Sequence, residues 1–413
     1  MIYEGMTTDE KHHCFIAVSD DGIHFKPEDV SASVELENRV APNELFVIEL
    51  AEIAEIIEDK KNNPEERYKM LYTKIEPETF SVHGLVLASP DLIHWKKLDV
   101  PEWNCGAEPI TGAFYNKEKE CFTINVRPDW GIRKVGRMET KDWKSYSDYE
   151  VVMQSDSIDD PLCEIYGMPA FEYKGYYIGL PIMYRNFEDD LSAKYFRGTI
   201  DSELAYSYDG RNWQRSLREP YLSGLNDRAE EVYGNRQNML WPASFVKQDN
   251  GDLLIFTSSC KMEHGFFNTE AKDGVICAYR VKEDRFIGMF ADKEGLLATR
   301  ENIWNSGEVR VNLKCKSATI AVYESTGDDN LGRAKPVEGY THEDCIEFSG
   351  DTTDWVPKFK NGNTLDALKG RTIVIEVKIN EGAIYSIEGD FLPVKNLPAS
   401  RYRTLGIRPD KLV

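Results

Sequence analysis

The chain has 413 residues, 41% hydrophobic and 11% aromatic, which is enough apolar material for a large core and for two or three domains. Its formal net charge of −21 argues against nucleic acid or anionic membrane as a partner, since phosphate binding needs a basic footprint, and leaves a neutral or cationic small ligand. No apolar run reaches the about 18 residues of a membrane span, and no secretory signal opens the chain, so it reads as soluble and cytoplasmic.

In chain order, residues 1–5 and 14–18 alternate like the middle two strands of a four-stranded unit, with a last strand near 25–27 and no recognisable innermost strand ahead of them. The tail 401–413 is one candidate for supplying that strand. A second unit is expected at 43–50, 68–73, 84–88 and 95–98; its Glu-, Lys- and Ile-rich connection 51–67 reads as a short helix or an excursion. The third runs from Ile110 to Val152, and the fourth uses 168–171, 176–184, 203–207 and 213–217. The fifth uses 242–246, 253–259, 275–281 and 286–290.

One turn recurs before the last strand of these units. Ser19-Asp20-Asp21-Gly22-Ile23-His24-Phe25, Ser89-Pro90-Asp91-Leu92-Ile93-His94-Trp95 and Ser207-Tyr208-Asp209-Gly210-Arg211-Asn212-Trp213 share a serine, an Asp-centred turn and an aromatic. Thr140-Lys141-Asp142-Trp143 reads as a shortened copy. The aromatics are spaced by 70, 48 and 70 residues, the scale of propeller blades. His24 and His94 in these turns read as structural.

After residue 294 the turn signal stops and strongly alternating strands follow at 307–314, 318–324, 344–348, 355–359, 372–378 and 383–387. The expected architecture is all-β: a five-bladed β-propeller over 1–294, then a small β-sandwich and tail over 295–413. The eight cysteines form no C-x-x-C pair and read as reduced core residues. His12-His13 lacks ligand-spaced neighbours, so no metal is expected, and the absence of Gly-rich phosphate loops and of a G-x-S-x-G elbow leaves no cofactor and no serine hydrolase.

Five segments carry a family resemblance: S-D-D-G-I-H-F, N-P-E-E-R-Y-K-M, S-P-D-L-I-H-W, Y-G-M-P-A-F-E-Y-K-G-Y-Y-I-G-L and L-A-Y-S-Y-D-G-R-N-W-Q-R. With them the chain resembles the five-bladed β-propeller glycoside hydrolase superfamily (families 32, 43, 68 and 130). In particular it is similar to a glycosyl hydrolase-like branch whose appended sandwich carries E-G-Y-T-H-E-D-C, G-D-T-T-D-W and L-D-A-L-K-G-R-T-I-V-I-E-V. The resemblance implies a small carbohydrate as ligand and acids on inner strands of different blades. Glycosidic cleavage needs one protonated carboxyl at the leaving oxygen and one ionised carboxyl as nucleophile or base.

Glu164, beside Tyr166, is the candidate general acid; Glu108 is the candidate that orients it or raises its pKa, and Glu44 the candidate base. Each also has a plain reading as a loop glutamate facing water. Arg127 and Arg133 sit where the similar branch carries two arginines, and their guanidinium forks suit a hydroxyl-rich or acidic ligand, or an ion pair with Asp129. His264 matches a His-Gly of that branch, and Trp103, Trp130 and Trp241 are candidates for stacking on a sugar, with core packing as the alternative. The function expected is a glycoside hydrolase; the alternatives are a non-catalytic carbohydrate-binding propeller and a glycoside phosphorylase.

Overall fold

The computed structural model describes residues 1–6, 11–48, 51–61, 63–76, 78–79, 81–100, 102–104, 106–187, 197–225, 237–265, 274–324 and 335–394. The described chain is all-β, with two short 3-10 turns, Pro64–Glu66 and Leu365–Leu368, as its helical elements. None of its helices is long and apolar enough to cross a membrane. Two compact units form: Met1–Gln248 with Leu254–Arg280, and Asp249–Leu253 with Val281–Val413. Residues 281–294, expected with the first domain, group with the second.

The first unit is a succession of antiparallel meanders. β1 (Ile2–Met6) pairs with β2 (His12–Val18), whose other edge takes β3 (Lys26–Pro27) and β4 (Glu44–Ile48). Residues 44–48 were expected to open the second unit; that place belongs to β5 (Ala51–Glu58), so the expected helix or excursion at 51–67 is mostly strand. Glu52, Glu55 and Glu58 recur every third residue, a helix-like spacing, and the strand takes it up through a register shift between Ile53 and Glu55. β5 is followed by β6 (Tyr68–Ile75), β7 (Val82–Ser89) and β8 (Lys96–Lys97), with β9 (Trp103–Asn104) also on β7. The third meander is β10 (Ala107–Asn116), β11 (Cys121–Arg127), β12 (Val135–Thr140) and β13 (Glu150–Met153).

In the fourth meander the strands are broken in two. β14 (Cys163–Gly167) and β15 (Ala170–Tyr173) flank Pro169, and β16 (Tyr176–Gly179) and β17 (Ile182–Asn186) flank Pro181, each proline removing a ladder donor. β18 (Gly198–Ser202) and β19 (Ala205–Ser207) follow, then β20 (Gln214–Arg215). The last sheet segment of the unit is β21 (Met239–Lys247), β22 (Leu253–Cys260) and β23 (Val275–Val281), joined to β18 by one parallel bridge between Ile200 and Met239. The strand expected at 286–290 does not complete it: the chain from Met289 pairs in the second unit. The tail 401–413 lies outside the described residues.

Adjacent inner strands approach closely where side chains are absent. A Cβ on Gly112 of β10 would lie 2.8 Å from the Pro169 backbone, and one on Gly167 of β14 would lie 2.5 Å from Thr111 Cβ. Thr111 Oγ1 accepts the Met168 N–H at 2.9 Å, and Asn125 Nδ2 donates to the Met168 carbonyl at 2.7 Å. The kink at 167–169 is therefore clamped from the neighbouring blade.

The recurring turn is one structure in four copies. Ser19, Ser89 and Ser207 each accept two backbone N–H groups through Oγ, and Asp21, Asp91 and Asp209 each accept two more through Oδ1. Thr140 and Asp142 repeat the pattern on Trp143, Lys144 and Ser145. The left-handed position is Gly22, Leu92, Trp143 and Gly210, with φ of 71°, 70°, 61° and 68°. The copy at 140 is thus full length: Trp143 occupies the glycine position and Tyr146 takes the register of Phe25. Trp143 is held there by its indole N–H, which donates to Asp59 Oδ2 at 2.8 Å.

The second unit is one sheet of β24 (Met289–Ala298), β25 (Asn302–Glu324), β26 (Lys335–Pro336), β27 (Phe348–Trp355) and β28 (Thr372–Pro393). Asn302 and Ile303 pair with both ends of β28, so the long β25–β28 ladder wraps back on itself. Its inward residues, including Trp304, Val311, Leu313, Ile320, Ile375 and Val377, form one core.

Candidate functional site

β10 and β14 begin at Ala107 and Cys163, and the second residue of each is a glutamate, Glu108 and Glu164; Glu52 lies on β5. The side chains of Glu52 and Glu108 lie outside the described residues; that of Glu164 is described fully.

Glu164 pairs across the sheet with Tyr184 of β17. Arg133, from the loop entering β12, donates Nη1 to Glu164 Oε2 at 2.6 Å, and its carbonyl accepts the Ile165 N–H at 3.3 Å. The guanidinium carbon lies 4.8 Å from the Tyr166 ring and 4.7 Å from the Tyr184 ring, so two aromatic faces hold the cation. Burial pushes the Tyr184 hydroxyl up to about 12, keeping it a neutral phenol.

His264 completes the cluster. Its backbone exchanges two hydrogen bonds with Gly198, and its Nε2 lies 3.4 Å from Tyr166 Oη while its ring packs 4.5 Å from that of Tyr184. Trp241 of β21 stands perpendicular to Tyr166 at 4.8 Å. Chemically, the cluster offers a carboxylate, a fixed guanidinium, an imidazole and a phenol around a partly open rim, a set that grips hydroxyls or an oxyanion.

The structure therefore brings Glu164, Arg133, Tyr166 and His264 together. Arg127 serves a different place: it is buried, donates Nε to the Asp129 carbonyl and Nη2 to the Gly131 carbonyl, both at 3.2 Å, and braces the loop that ends in Arg133. Glu44 is fully buried on β4, where His13 Nδ1 donates to its Oε1 at 2.5 Å and the Val40 N–H to its Oε2 at 2.6 Å. Trp103 is a core residue stacked on Tyr146 at 4.6 Å. Trp130 is exposed.

Two groups escaped the sequence reading. Tyr184 lies in an apolar run, and only its pairing with Glu164 reveals it. Asp201 and Glu203 belong to a buried network: Arg185 grips Asp201 at 2.6 and 2.9 Å, while Arg215 holds Glu203 at 2.8 Å through two nitrogens and Asp159 at 2.6 Å. All their carboxylate oxygens meet guanidinium, which marks them as a brace. No group of His, Cys, Asp and Glu among the described residues is arranged to hold a metal ion.

No family model and no curated protein matches the chain. Among the solved structures it resembles are proteins described as glycoside hydrolases or phosphorylases. One described as a glycoside hydrolase is 14% identical, covering 68% of this chain and 88% of its own at a TM-score of 0.42. A member of the family 130 mannoside phosphorylases and hydrolases is 12% identical, covering 67% and 79% at 0.40. The family 32 β-fructofuranosidase of Bombyx mori is 11% identical, covering 91% and 85% at 0.40. Similarity at this level carries no activity to the chain.

Proposed function

We propose that the chain cleaves a glycosidic bond in a small oligosaccharide, at the inner-strand entrance of a five-bladed propeller. The observation that supports this reading is Glu164 held by Arg133, whose guanidinium lies between the rings of Tyr166 and Tyr184. Paired carboxyls on different blades can flank one glycosidic oxygen, one protonating it while the other acts on the anomeric carbon or its water. Arg133 occupies Glu164 Oε2, so in this reading Oε1 is the oxygen that serves the leaving group. In this reading Glu108 orients Glu164, and Glu52 on β5 is a candidate for base, since Glu44 is occupied by its pair with His13.

A second reading, phosphorolysis, is supported by Arg133, Tyr166 and His264 lying in one cluster, a donor set that suits phosphate. Among the described residues Cys14, Cys121, Cys163, Cys315 and Cys345 are free thiols, in keeping with a reducing, cytoplasmic setting. The test is a panel of aryl glycosides and short oligosaccharides, with and without phosphate, on the wild type and Glu164→Gln. Turnover abolished by the substitution supports cleavage, and a phosphate requirement selects phosphorolysis. Absence of turnover with sugar-dependent thermal stabilisation in both proteins selects a binding protein.

A further inference from the structure

The loop from Pro128 to Arg133 is built as a rigid bracket. Pro128 is wedged between two glycines: a Cβ on Gly106 would come within 2.0 Å of its carbonyl oxygen, and one on Gly136 within 2.6 Å of its ring. Asp129 Oδ1 accepts the Gly131 N–H at 2.8 Å, its Oδ2 pairs with Lys134 at 2.9 Å, and the buried Arg127 fork ties the carbonyls of Asp129 and Gly131. So much anchoring would be superfluous for a simple connection.

What the bracket presents is apolar. Trp130 is 47% exposed and Ile132 is 67% exposed, on a chain whose surface is otherwise rich in carboxylates. The Arg127 guanidinium lies 5.3 Å from the Trp130 ring and supports it from within the fold. Three residues on, Arg133 leaves the same bracket to donate to Glu164. An indole backed by a guanidinium loses few rotamers on binding, and its face matches the C–H face of a pyranose.

We propose that Trp130 is the stacking platform for a neutral sugar ring of the oligosaccharide engaged at Glu164, and that Arg127 positions it without touching substrate. This rests on the glycoside reading above, so its test separates the two. Tryptophan fluorescence would be titrated with maltose, cellobiose, sucrose and lactose in the wild type, Trp130→Ala, Trp130→Phe and Glu164→Gln. The site is exposed, so these variants are expected to fold, and Trp130→Phe restores the aromatic face where Trp130→Ala removes it.

The expected result is a saturable change with at least one sugar, retained in Glu164→Gln and absent from the Trp130→Phe spectrum. Affinity measured by calorimetry should fall about tenfold in Trp130→Ala and stay within about threefold in Trp130→Phe. Arg127→Met should weaken binding similarly, and Arg127→Lys, which keeps a cation beside the indole, should restore part of it. Sugar binding without turnover in the wild type, but dependent on Trp130, keeps the platform and removes the catalytic reading. Equal affinities in wild type and Trp130→Ala, or no response to any of the four sugars, would overturn the platform.

Discussion

Arg133 meets Glu164 at 2.6 Å from a position fixed by the rings of Tyr166 and Tyr184. The carboxyl is therefore oriented by a planar cation that cannot rotate freely. Lysine would keep the charge and lose both the fork and the stacking. Arg133→Lys should lower kcat/KM by about 10- to 100-fold, the worth of one charge-assisted hydrogen bond. Steady-state kinetics with a check of melting temperature decides it, and the melting temperature should change little.

The buried His13–Glu44 pair predicts a stability effect. Removing one partner strands the other in a site without water, which costs about 3–5 kcal/mol. Glu44→Ala and His13→Ala should each shift the urea midpoint strongly, and any residual folded enzyme should keep its kcat. A full-stability Glu44→Ala with lost turnover would instead return Glu44 to the catalytic set.

Glu55 on β5 is half-buried and receives N–H groups from Ile56 and Ala113; desolvation is the largest cause and pushes its carboxyl up to about 8. The unfolded chain gives up this proton near pH 4.5 while the folded chain keeps it, so the native state binds more protons in between. Stability should fall as pH rises from about 4.5 to about 8, with a slope up to about 1.4 kcal/mol per unit from this group, and level off above. Urea denaturation across that range should show a flatter profile for Glu55→Gln.

Leu92 occupies the left-handed position that Gly22 and Gly210 hold in sister turns. Leu92→Gly relieves that backbone conformation and should stabilise the chain by about 0.5–1 kcal/mol in thermal or urea denaturation. Asp91→Ala removes the acceptor for the N–H groups of Ile93 and His94 and should cost about 1–2 kcal/mol.

That repeat was the most legible part of the sequence, because its serine and aspartate act on backbone groups within three residues. Its copy at Thr140 was misaligned, since a tryptophan at positive φ is intelligible only once its bond to Asp59 is seen. The all-β character followed from strand alternation, whereas residues 51–58 were obscured by helix-favouring glutamates. Glu164, Arg133, Tyr166 and His264 were chosen separately and lie together. The brace of Arg185, Asp201, Glu203 and Arg215 was invisible, because long-range pairing leaves no local pattern.

The most direct test of the account is kcat of Glu164→Gln against wild type on the best aryl glycoside from the panel, with folding matched by circular dichroism and melting temperature. The account predicts a loss of at least about 100-fold, the usual share of a positioned acid or base. A variant that folds normally and turns over within about twofold of wild type, taking RT ln 2 as the smallest meaningful difference, would contradict it.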